Sequence, residues 1–470
     1  MSANVLAMPA QYDESAASPP REAGDLSTIK VLLPYLALHA VLGPILRASP
    51  AAATIHASIA LAVGIWAALR WDSLAILCCA AYIVGGETLW RMSGARVPYE
   101  FGKYAVSLIF LVALARRSRS HRAAWRVLPL LYFGLLLPSA LLVFADYAVR
   151  DRSVVMRLSF NLSGPLCLCV SVWFLSQLKL RAKDIPRLCL AVVGPIVGIA
   201  MVTIIATRTA ENLVFTDESN TITSGGFGPN QISAILGLGA LMALLFTLNR
   251  DIKIAGKVIG TGLVLLFVTQ SAMTFSRGGL YAAVAAGAAG IPFMMADRRV
   301  RRVVFPLIAA IMVIGIGVIL PRLDEFTGGK LTQRFEQVQS TNRLGLMLDD
   351  LQIWSEHPAL GVGPGMVKKF RGDLAGSGHT EFTRLLAEHG TLGLCSLVIL
   401  TLMTFQAFLR RGSRFDRGHR FAFLVWALLS MLHAAMRIAA FGFFFGLAHV
   451  TFLSIQQRSP AFDRALNRRH

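Results

Sequence analysis

Charged residues are scarce in this chain, and acidic residues are scarcer still. Of 470 residues only 15% are charged, with 26 Asp and Glu against 46 Lys and Arg, whereas 55% are hydrophobic. A soluble domain of this length does not need so much apolar surface, so the composition excludes that class and predicts a polytopic membrane protein. The net charge of +20 would fit a nucleic-acid-binding protein. The basic residues, however, fall in short clusters between apolar runs, which is how membrane topology is set, so we expect no nucleic-acid partner.

Cysteine is rare as well, and its placement argues against two kinds of site. The six cysteines all lie inside apolar runs, and none has a partner at metal-ligand spacing. We therefore interpret them as small core residues with no disulfide or metal role. No cofactor is expected. They are Cys78, Cys79, Cys167, Cys169, Cys189 and Cys395.

Neither end of the chain has the pattern of a membrane span. Residues 1–28 are polar, acidic and rich in Ala, Ser and Pro, and they lack the basic segment that opens a signal peptide. We predict that they form a disordered cytoplasmic tail. Residues 457–470 are predicted to form a second, basic cytoplasmic tail.

Between these tails the chain is a series of apolar runs. About fourteen of them approach the roughly 17–25 residues that a membrane-spanning helix needs. They are continuously apolar and lack the alternation of a β-barrel, so we predict an all-α polytopic protein with about 12–14 transmembrane helices. The runs lie near 29–46, 51–69, 73–90, 102–115, 127–148, 155–176, 187–207, 230–248, 255–275, 278–296, 303–320, 390–409, 419–437 and 439–456.

The runs also divide the chain into regions. Residues 29–320 are predicted to form a transmembrane bundle, and residues 390–456 form the C-terminal transmembrane helices. Residues 321–389, the longest polar stretch, are predicted to be one large loop that carries short helices. The arginine-rich clusters fall on one side of the membrane, which the positive-inside rule makes cytoplasmic. The outer face then holds the large loop, the loop 208–229 and the short turn before Arg277.

Three residues of the outer face are candidates for binding. Arg277 lies between two apolar runs, over a predicted turn of two glycines. It is either an interfacial arginine that reaches lipid headgroups or a fixed cation for phosphate, and the rigid setting favours phosphate. Arg208 ends an apolar run, and a helix-end anchor and a phosphate contact fit it equally well. Asn230 follows a glycine-rich loop and is interpreted as a helix cap or a substrate-binding residue.

The large loop contains two further patterns. Residues 342–357 carry apolar side chains at helical spacing, which predicts a helix opened by Arg343. Asp349 and Asp350 have no metal-ligand partner nearby in sequence, so a solvated helix face is favoured over a metal site. The glycines of 361–365 predict a tight turn that forms a pocket wall, because no strand precedes them as in a nucleotide-binding loop.

A second short helix is predicted over 379–388. Glu381, Arg384 and Glu388 share one of its faces, where they form either a surface ion-pair ladder or part of a site. His379 opens the helix. An unperturbed histidine has a pKa of about 6.5, which suits proton transfer at neutral pH. Structural and catalytic roles are both open for His379.

Several of these motifs occur in a fixed order on the outer face. Together they resemble the O-antigen ligase and polymerase superfamily of bacterial glycan-transferring membrane proteins. The resemblance extends over about residues 200–405. The motifs are Ser276-Arg277-Gly278-Gly279, Arg343 followed by His357-Pro358-Ala359-Leu360-Gly361-Val362-Gly363-Pro364-Gly365, His379-Thr380-Glu381-Phe382, and Glu388-His389-Gly390-Thr391-Leu392-Gly393.

The resemblance implies a glycosyltransferase in the bacterial inner membrane, with its active site facing the periplasm. Its reaction would be a metal-independent, inverting glycosyl transfer from a glycan on undecaprenyl pyrophosphate. The acceptor would be another lipid-linked glycan, which gives a polymer, or lipid A core, which gives ligation. Membrane lipids and a chain-length regulator protein are further expected partners.

The resemblance also implies roles for binding residues. Arg277 matches the family arginine assigned to pyrophosphate, and Arg208 matches a second phosphate-facing arginine. We take Arg343, which opens the loop motif, as a third candidate phosphate-binding residue. Asn230 and Arg384 are candidate substrate-binding residues.

The catalytic candidates lie at the end of the loop. His379 matches the family's loop histidine, and either His379 or Glu381 is expected to be the base that accepts the proton of the attacking hydroxyl. Thr380 departs from the common pattern, in which an asparagine follows the histidine. Glu381 is closer to the polymerase-like variants than to the ligases, so we favour a polymerase of a cell-surface polysaccharide, with an O-antigen ligase as the alternative.

Two functions of other classes stay open. A flippase or transporter of lipid-linked glycans would place ionisable residues along the middle of its spans. Here the strongest candidates lie at the outer edge, with Lys103 as the main exception, and the chain has no paired halves of the kind that many transporters have. The third possibility is a non-catalytic scaffold whose outer loop binds a partner.

Overall fold

The computed structural model describes residues 29–116, 127–145, 152–216, 218–336, 343–371, 380–434 and 436–453. Within these ranges, nine helices are long and apolar enough to cross a membrane. This confirms the all-α, polytopic membrane class, while the total number of spans stays a prediction. The two predicted tails lie outside the described residues.

The helices follow one another with short connections. The first half of the described chain contains α1 (Ile29–Ala48), α2 (Pro50–Arg70), α3 (Ser73–Met92), α4 (Phe101–Arg116), α5 (Val127–Gly134), α6 (Leu137–Val143), α7 (Arg152–Leu175), β1 (Lys179–Arg181) and α8 (Ile185–Thr209). The second half contains α9 (Pro229–Leu248), α10 (Ile254–Met273), α11 (Arg277–Met294), α12 (Arg298–Ala310), a π-helical stretch (Ile311–Ile319), α13 (Leu320–Phe326), α14 (Lys330–Glu336), α15 (Arg343–Glu356), α16 (Glu381–Leu409), α17 (Arg414–Ala434), α18 (Ala439–Leu447) and β2 (Thr451–Leu453).

The antiparallel packing of neighbouring helices gives the bundle two ends. One end, here called the cavity end, holds a cavity lined by Glu100 and Arg437, and at this end α3 is followed by α4, α8 by α9, and α10 by α11. At the opposite, basic end, α9 is followed by α10, α11 by α12, and α16 by α17. The parallel pair β1–β2 lies at the basic end, with Leu180 opposite Phe452. Arg410 joins this pair to α16, because it donates to the His449 carbonyl at 2.6 Å and to the Thr451 hydroxyl.

Glycines permit the close packing of three central helices. A Cβ placed on Gly279 would overlap with the Ser233 carbonyl of α9, and one on Gly237 would overlap with the Gly279 carbonyl. A Cβ on Gly278 would overlap with the His433 ring of α17. The sequence predicted that Gly278 and Gly279 form a turn, which is wrong. They lie inside α11, where the lack of a side chain permits close packing.

The segment from α12 to α13 lies on the outside of the bundle. Only 11% of its most apolar window is buried within the protein, although this window is the most hydrophobic among the nine candidate spans. Phe305, Ile308 and Met312 are among its exposed apolar side chains. In a membrane such a surface contacts lipid acyl chains, so its exposure is stable there.

Several predicted helices differ from the structure in extent, and the run predicted over 127–148 is divided into α5 and α6. The predicted helix over 342–357 is confirmed as α15. The predicted short helix over 379–388 and the apolar run after it form one helix, α16, which is broken at Gly390 by a φ of 59°. The helical run predicted over 439–456 ends at Leu447, and a strand follows. The strand forms because β1 supplies a hydrogen-bonding partner that is remote in sequence.

The contact between α9 and α11 can be tested with one added methyl group. We expect Gly279→Ala to destabilise the protein by about 1–3 kcal/mol, because the new Cβ overlaps with backbone atoms that cannot move aside. Gly262→Ala in α10 is the control, since no atom lies within 4 Å of its Cβ position. Melting temperatures of the detergent-solubilised proteins measure the effect. Equal losses for both variants would contradict this packing.

Candidate functional site

A cavity of about 800 Å³ opens at the cavity end. Its wall is built by α7, the loop before α4, the segment after α15, the first turns of α16 and the connection between α17 and α18. Five cationic and three anionic side chains line it, an unusual concentration in a chain so poor in charge. These residues are Glu100, Arg157, Lys368, Arg371, Glu381, Arg384, Glu388 and Arg437.

Arg384 is the centre of a buried ion cluster in the cavity wall. Its guanidinium pairs with the Glu381 carboxylate and, at 2.5 Å, with the Glu388 carboxylate. It also donates to the Asn161 side chain of α7 at 3.1 Å. All three charged residues are buried. Of the two alternatives for these residues, the surface ladder is therefore excluded, because this face of α16 is buried and contacts α7.

Glu381 accepts hydrogen bonds at both of its carboxylate oxygens. One carboxylate oxygen pairs with the Arg384 guanidinium. The other accepts from Arg384 Nε at 3.2 Å and from the Met436 backbone N–H at 3.1 Å. The side chain is fully buried. Since both oxygens already accept hydrogen bonds, this arrangement favours a positioning role for Glu381 over the predicted role of base.

The 436–439 segment joins α17 to α18, and buried charges hold its main chain. Besides the bond from Met436 to Glu381, the Met436 carbonyl accepts from Lys103 at 3.2 Å. The Arg437 carbonyl accepts from Arg91 at 2.8 Å, and the Ala439 N–H donates to Glu87 at 2.7 Å. These partners come from α3, α4 and α16. Backbone groups inside a membrane protein need such partners, because no bulk water can replace them.

Arg437, which belongs to the 436–439 segment, lines the cavity. An arginine keeps its proton at neutral pH. Arg437 therefore supplies a positive charge whose backbone position is fixed from three helices.

Glu100 supplies the cavity with a negative charge. Its Oε2 pairs with Lys103 and accepts from the Ser163 hydroxyl at 3.1 Å, and Arg91 approaches it to 3.7 Å. Its Oε1 is buried and has no hydrogen-bond partner among the described residues. The cations lie beside one carboxylate oxygen, and the other oxygen is left for a hydroxyl donor.

The glycine run forms the predicted turn. Gly361, Gly363 and Gly365 all have positive φ, between 64° and 88°. The Gly363 N–H donates to the Glu388 carbonyl at 2.9 Å, and the Gly365 N–H donates to the Glu388 carboxylate at 2.9 Å. Gly365 lines the cavity, which confirms the prediction of a turn in a pocket wall. A residue with a Cβ would be strained at these angles.

Asp350 has a structural role that its sequence context did not indicate. The side chain is buried, pairs with Arg371 and accepts from the Thr383 hydroxyl at 2.7 Å. The predicted solvated helix face is therefore wrong at this position, because α15 packs onto the start of α16. The contacts of Asp350 with Arg371 and Thr383 therefore fix α15 to the cavity wall.

Arg277 opens α11 beside a strained turn. Phe275 adopts a φ of 56°, unusual for a bulky residue, and its carbonyl accepts from Arg334 Nε at 3.2 Å. Arg277 in turn donates to the Arg334 carbonyl at 3.3 Å. The Ser276 hydroxyl donates to Asn230 at 2.8 Å. A helix cap is one of the two roles that the sequence suggests for Asn230, but the N-cap of α9 is Gly228. Asn230 instead accepts this hydrogen bond from Ser276.

A chain of contacts relates this turn to the cavity. Gln231, next to Asn230 on α9, accepts from Arg91 at 3.0 Å, and Arg91 holds the Arg437 carbonyl. Arg277 and Asn230 do not line the cavity itself. Arg208 lies exposed at the end of α8 and does not line it either.

The remaining predicted residues divide into three groups. Glu381 and Arg384 meet in the cavity wall. Arg343 is the first residue of α15, and only its backbone is described. His379 lies outside the described residues, two positions before Glu381. In the described part of the chain, no group of three His, Cys, Asp or Glu side chains is arranged to hold a metal ion.

Comparison with known proteins does not assign this chain to a family. No protein-family model matches it, and no curated protein matches it. The resemblance drawn from the motifs therefore stays an expectation, and the site must be interpreted from its own geometry.

Sequence reasoning missed most of the cavity's charged residues. Arg437 stands between two apolar runs with almost no loop, the same pattern that singled out Arg277, and could have been found by it. Glu87 is an acid inside an apolar run, which is a functional signal in membrane proteins. Arg157 and Lys368 carry no such signal, because only the fold brings them to the cavity.

The ion cluster around Arg384 predicts a large loss of stability when its cation is removed. Arg384→Gln leaves Glu381 and Glu388 buried without their shared partner, which we expect to cost about 3–5 kcal/mol. Arg322→Gln at an exposed position of α13 is the matched control. Thermal unfolding of the purified proteins should show a large decrease for Arg384→Gln alone. A melting temperature equal to that of the control would refute the cluster's structural role.

Proposed function

We propose that this protein is a glycosyltransferase of the bacterial inner membrane. It transfers a glycan from undecaprenyl pyrophosphate to a hydroxyl of an acceptor glycan, at the periplasmic face and without a metal, and thereby extends a cell-surface polysaccharide. The observation that carries the proposal is the charged cavity at one end of an apolar helix bundle, with Arg437 and Glu100 in its wall.

The cations of the cavity fit the leaving group of this reaction. When the bond between the sugar and the diphosphate breaks, negative charge builds on the diphosphate oxygens. Fixed guanidinium groups stabilise such charge, because they are already oriented before the reaction. Arg437 and Arg157 supply guanidinium groups from the wall, and exposed Lys368 supplies an ammonium group at the rim.

The acceptor hydroxyl needs a base on the opposite face of the sugar. Its oxygen attacks the anomeric carbon, the bond to diphosphate breaks, and the hydroxyl proton passes to the base, so that the configuration inverts. His379 holds this role by the motif resemblance. Glu100 is a second acceptor for the hydroxyl proton, because its buried Oε1 has no hydrogen-bond partner in the described residues.

Arg277 and Arg208, to which the resemblance assigns phosphate, do not line the cavity. We propose that Arg277, Arg208 and Arg343 bind phosphate groups of the lipid-linked substrates at the same end of the bundle. Asn230 supports this role by fixing the turn before Arg277 through Ser276.

Polymerisation is favoured over ligation on the motif around Glu381, and a ligase that transfers to lipid A core is the alternative. A flippase is less well supported. The charged residues of the cavity lie just before α4, in the first turns of α7 and α16, and in the segments that follow α15 and α17, whereas a translocation path would need polar residues across the bundle. A chain-length regulator protein is a further partner in this proposal.

Substitutions in the cavity test the proposed chemistry. We expect Arg437→Gln to reduce the rate of polymer formation by about 10²–10³-fold, because one preorganised positive charge is lost. Glu100→Gln should reduce it by about 10²–10⁴-fold if this carboxylate accepts the proton. The assay uses membranes that contain the full chain and a lipid-linked donor, with Arg322→Gln as control. Equal rates in all three variants would contradict a catalytic cavity.

A second experiment separates the two reaction types. Strains that carry only Arg277→Ala or His379→Ala should lose long surface glycan while the protein still reaches the membrane. A polymerase defect leaves single repeat units on the lipid A core, whereas a ligase defect accumulates long lipid-linked chains. Gel electrophoresis of the surface glycan reads out both patterns. Long lipid-linked chains would overturn the polymerase assignment, and full activity of both variants would overturn the roles proposed for these residues.

A further inference from the structure

The basic end contains a second cavity, of about 670 Å³, between α9, α11, α12 and α17. Four arginines from three separate segments converge on it. They are Arg250, Arg298, Arg299 and Arg414. Among the residues that the structure describes, Asp297 is the only acidic one in its wall. The Asp297 carboxylate already accepts from the Arg299 backbone N–H at 2.8 Å, where it caps α12.

The positive charge of this cavity is poorly compensated. Among the described residues, the guanidinium groups of Arg298, Arg299 and Arg414 take part in no ion pair or hydrogen bond. Arg250 has only a distant pair with Asp251, at 3.9 Å. Cations that converge without counterions repel one another, so an anion bound among them would lower the free energy.

Membrane topology alone does not explain this convergence. The positive-inside rule requires basic residues at this end but not in one concavity. Arg301, Arg302 and Arg411 are exposed, as are Arg298, Arg299 and Arg414, but they satisfy the rule from outside the cavity wall. They also provide a matched set with the same charge.

The walls of the cavity indicate which kind of anion fits. Apolar side chains, among them Leu245, Phe293 and Phe415, lie beside the arginines. From Arg298 and Arg299, α12 continues directly into the lipid-facing surface that contains Phe305 and Ile308. A phosphate that carries acyl chains matches both features, whereas a free phosphate ion matches only the arginines.

We infer that this cavity binds the headgroup phosphate of an anionic phospholipid, whose acyl chains lie along the exposed face of α12. The guanidinium groups bind phosphate oxygens in their forked geometry. The inference does not depend on the proposed glycosyl transfer, since the cavity lies at the opposite end of the bundle. It makes the protein's stability depend on lipid composition.

Native mass spectrometry of the full chain in detergent tests this site. Phosphatidylglycerol, phosphatidylethanolamine and inorganic phosphate are titrated separately. We expect one phosphatidylglycerol to bind preferentially and to raise the melting temperature. The triple variant Arg298→Gln/Arg299→Gln/Arg414→Gln should bind it about tenfold more weakly or worse, since each basic residue contributes to binding an anionic lipid. The control variant Arg301→Gln/Arg302→Gln/Arg411→Gln should bind it like the wild type.

Three outcomes would overturn the inference. Equal losses in the two triple variants would mean that the bound lipid responds to overall charge and not to the cavity. Equal binding of phosphatidylethanolamine would remove the requirement for an anionic headgroup. Binding of inorganic phosphate as tight as that of phosphatidylglycerol would remove the requirement for acyl chains. The melting temperatures of both triple variants without added lipid detect a general folding defect. The control carries the same net charge as the test variant, so the two variants differ only in which arginines are replaced.

Discussion

The main chain of the 436–439 segment is the constraint on which the cavity depends. This segment leaves a helix inside an apolar bundle, so its N–H and C=O groups lose their helical partners where water is scarce. Charged side chains replace those partners: Glu381 and Glu87 accept from N–H groups, and Lys103 and Arg91 donate to carbonyls. Buried charges are costly when alone. Here each one is compensated by an opposite charge or by the backbone that it holds.

This mutual compensation connects the stability of the bundle to the geometry of the site. Arg384 neutralises two buried carboxylates, one of which fixes the segment that carries Arg437. Lys103 similarly pairs with Glu100 while it holds the same segment. A substitution at one of these residues therefore affects both folding and the cavity. Residues that line the cavity without such pairs, such as Lys368, allow function to be changed more independently of the fold.

The two ends of the bundle use positive charge differently. At the cavity end the cations are mixed with carboxylates, which fixes them in a polar network suited to a reacting substrate. In the cavity of the basic end the arginines have few counterions and stand next to a lipid-facing surface, which suits a membrane component. Between the ends, the contacts of Gly237 and Gly279 bring α9 and α11 together without any charged group. Close packing of small residues replaces the hydrophobic effect, which does not drive helix association inside lipid.

The sequence by itself determined the membrane class, most helix positions, the helix of residues 343–356 and the glycine turn, because these follow from local apolar length, helical period and backbone freedom. It also identified Glu381 and Arg384 as neighbours, but not their burial. Only the tertiary structure decided that Arg437, Glu100 and Arg157 meet in one cavity, since they come from segments that are distant in the chain. The sequence states which residues are charged and which of them lie near one another along the chain. Which charges lie close enough to interact is a property of helix packing, because electrostatic energy depends on distance and on the exclusion of water.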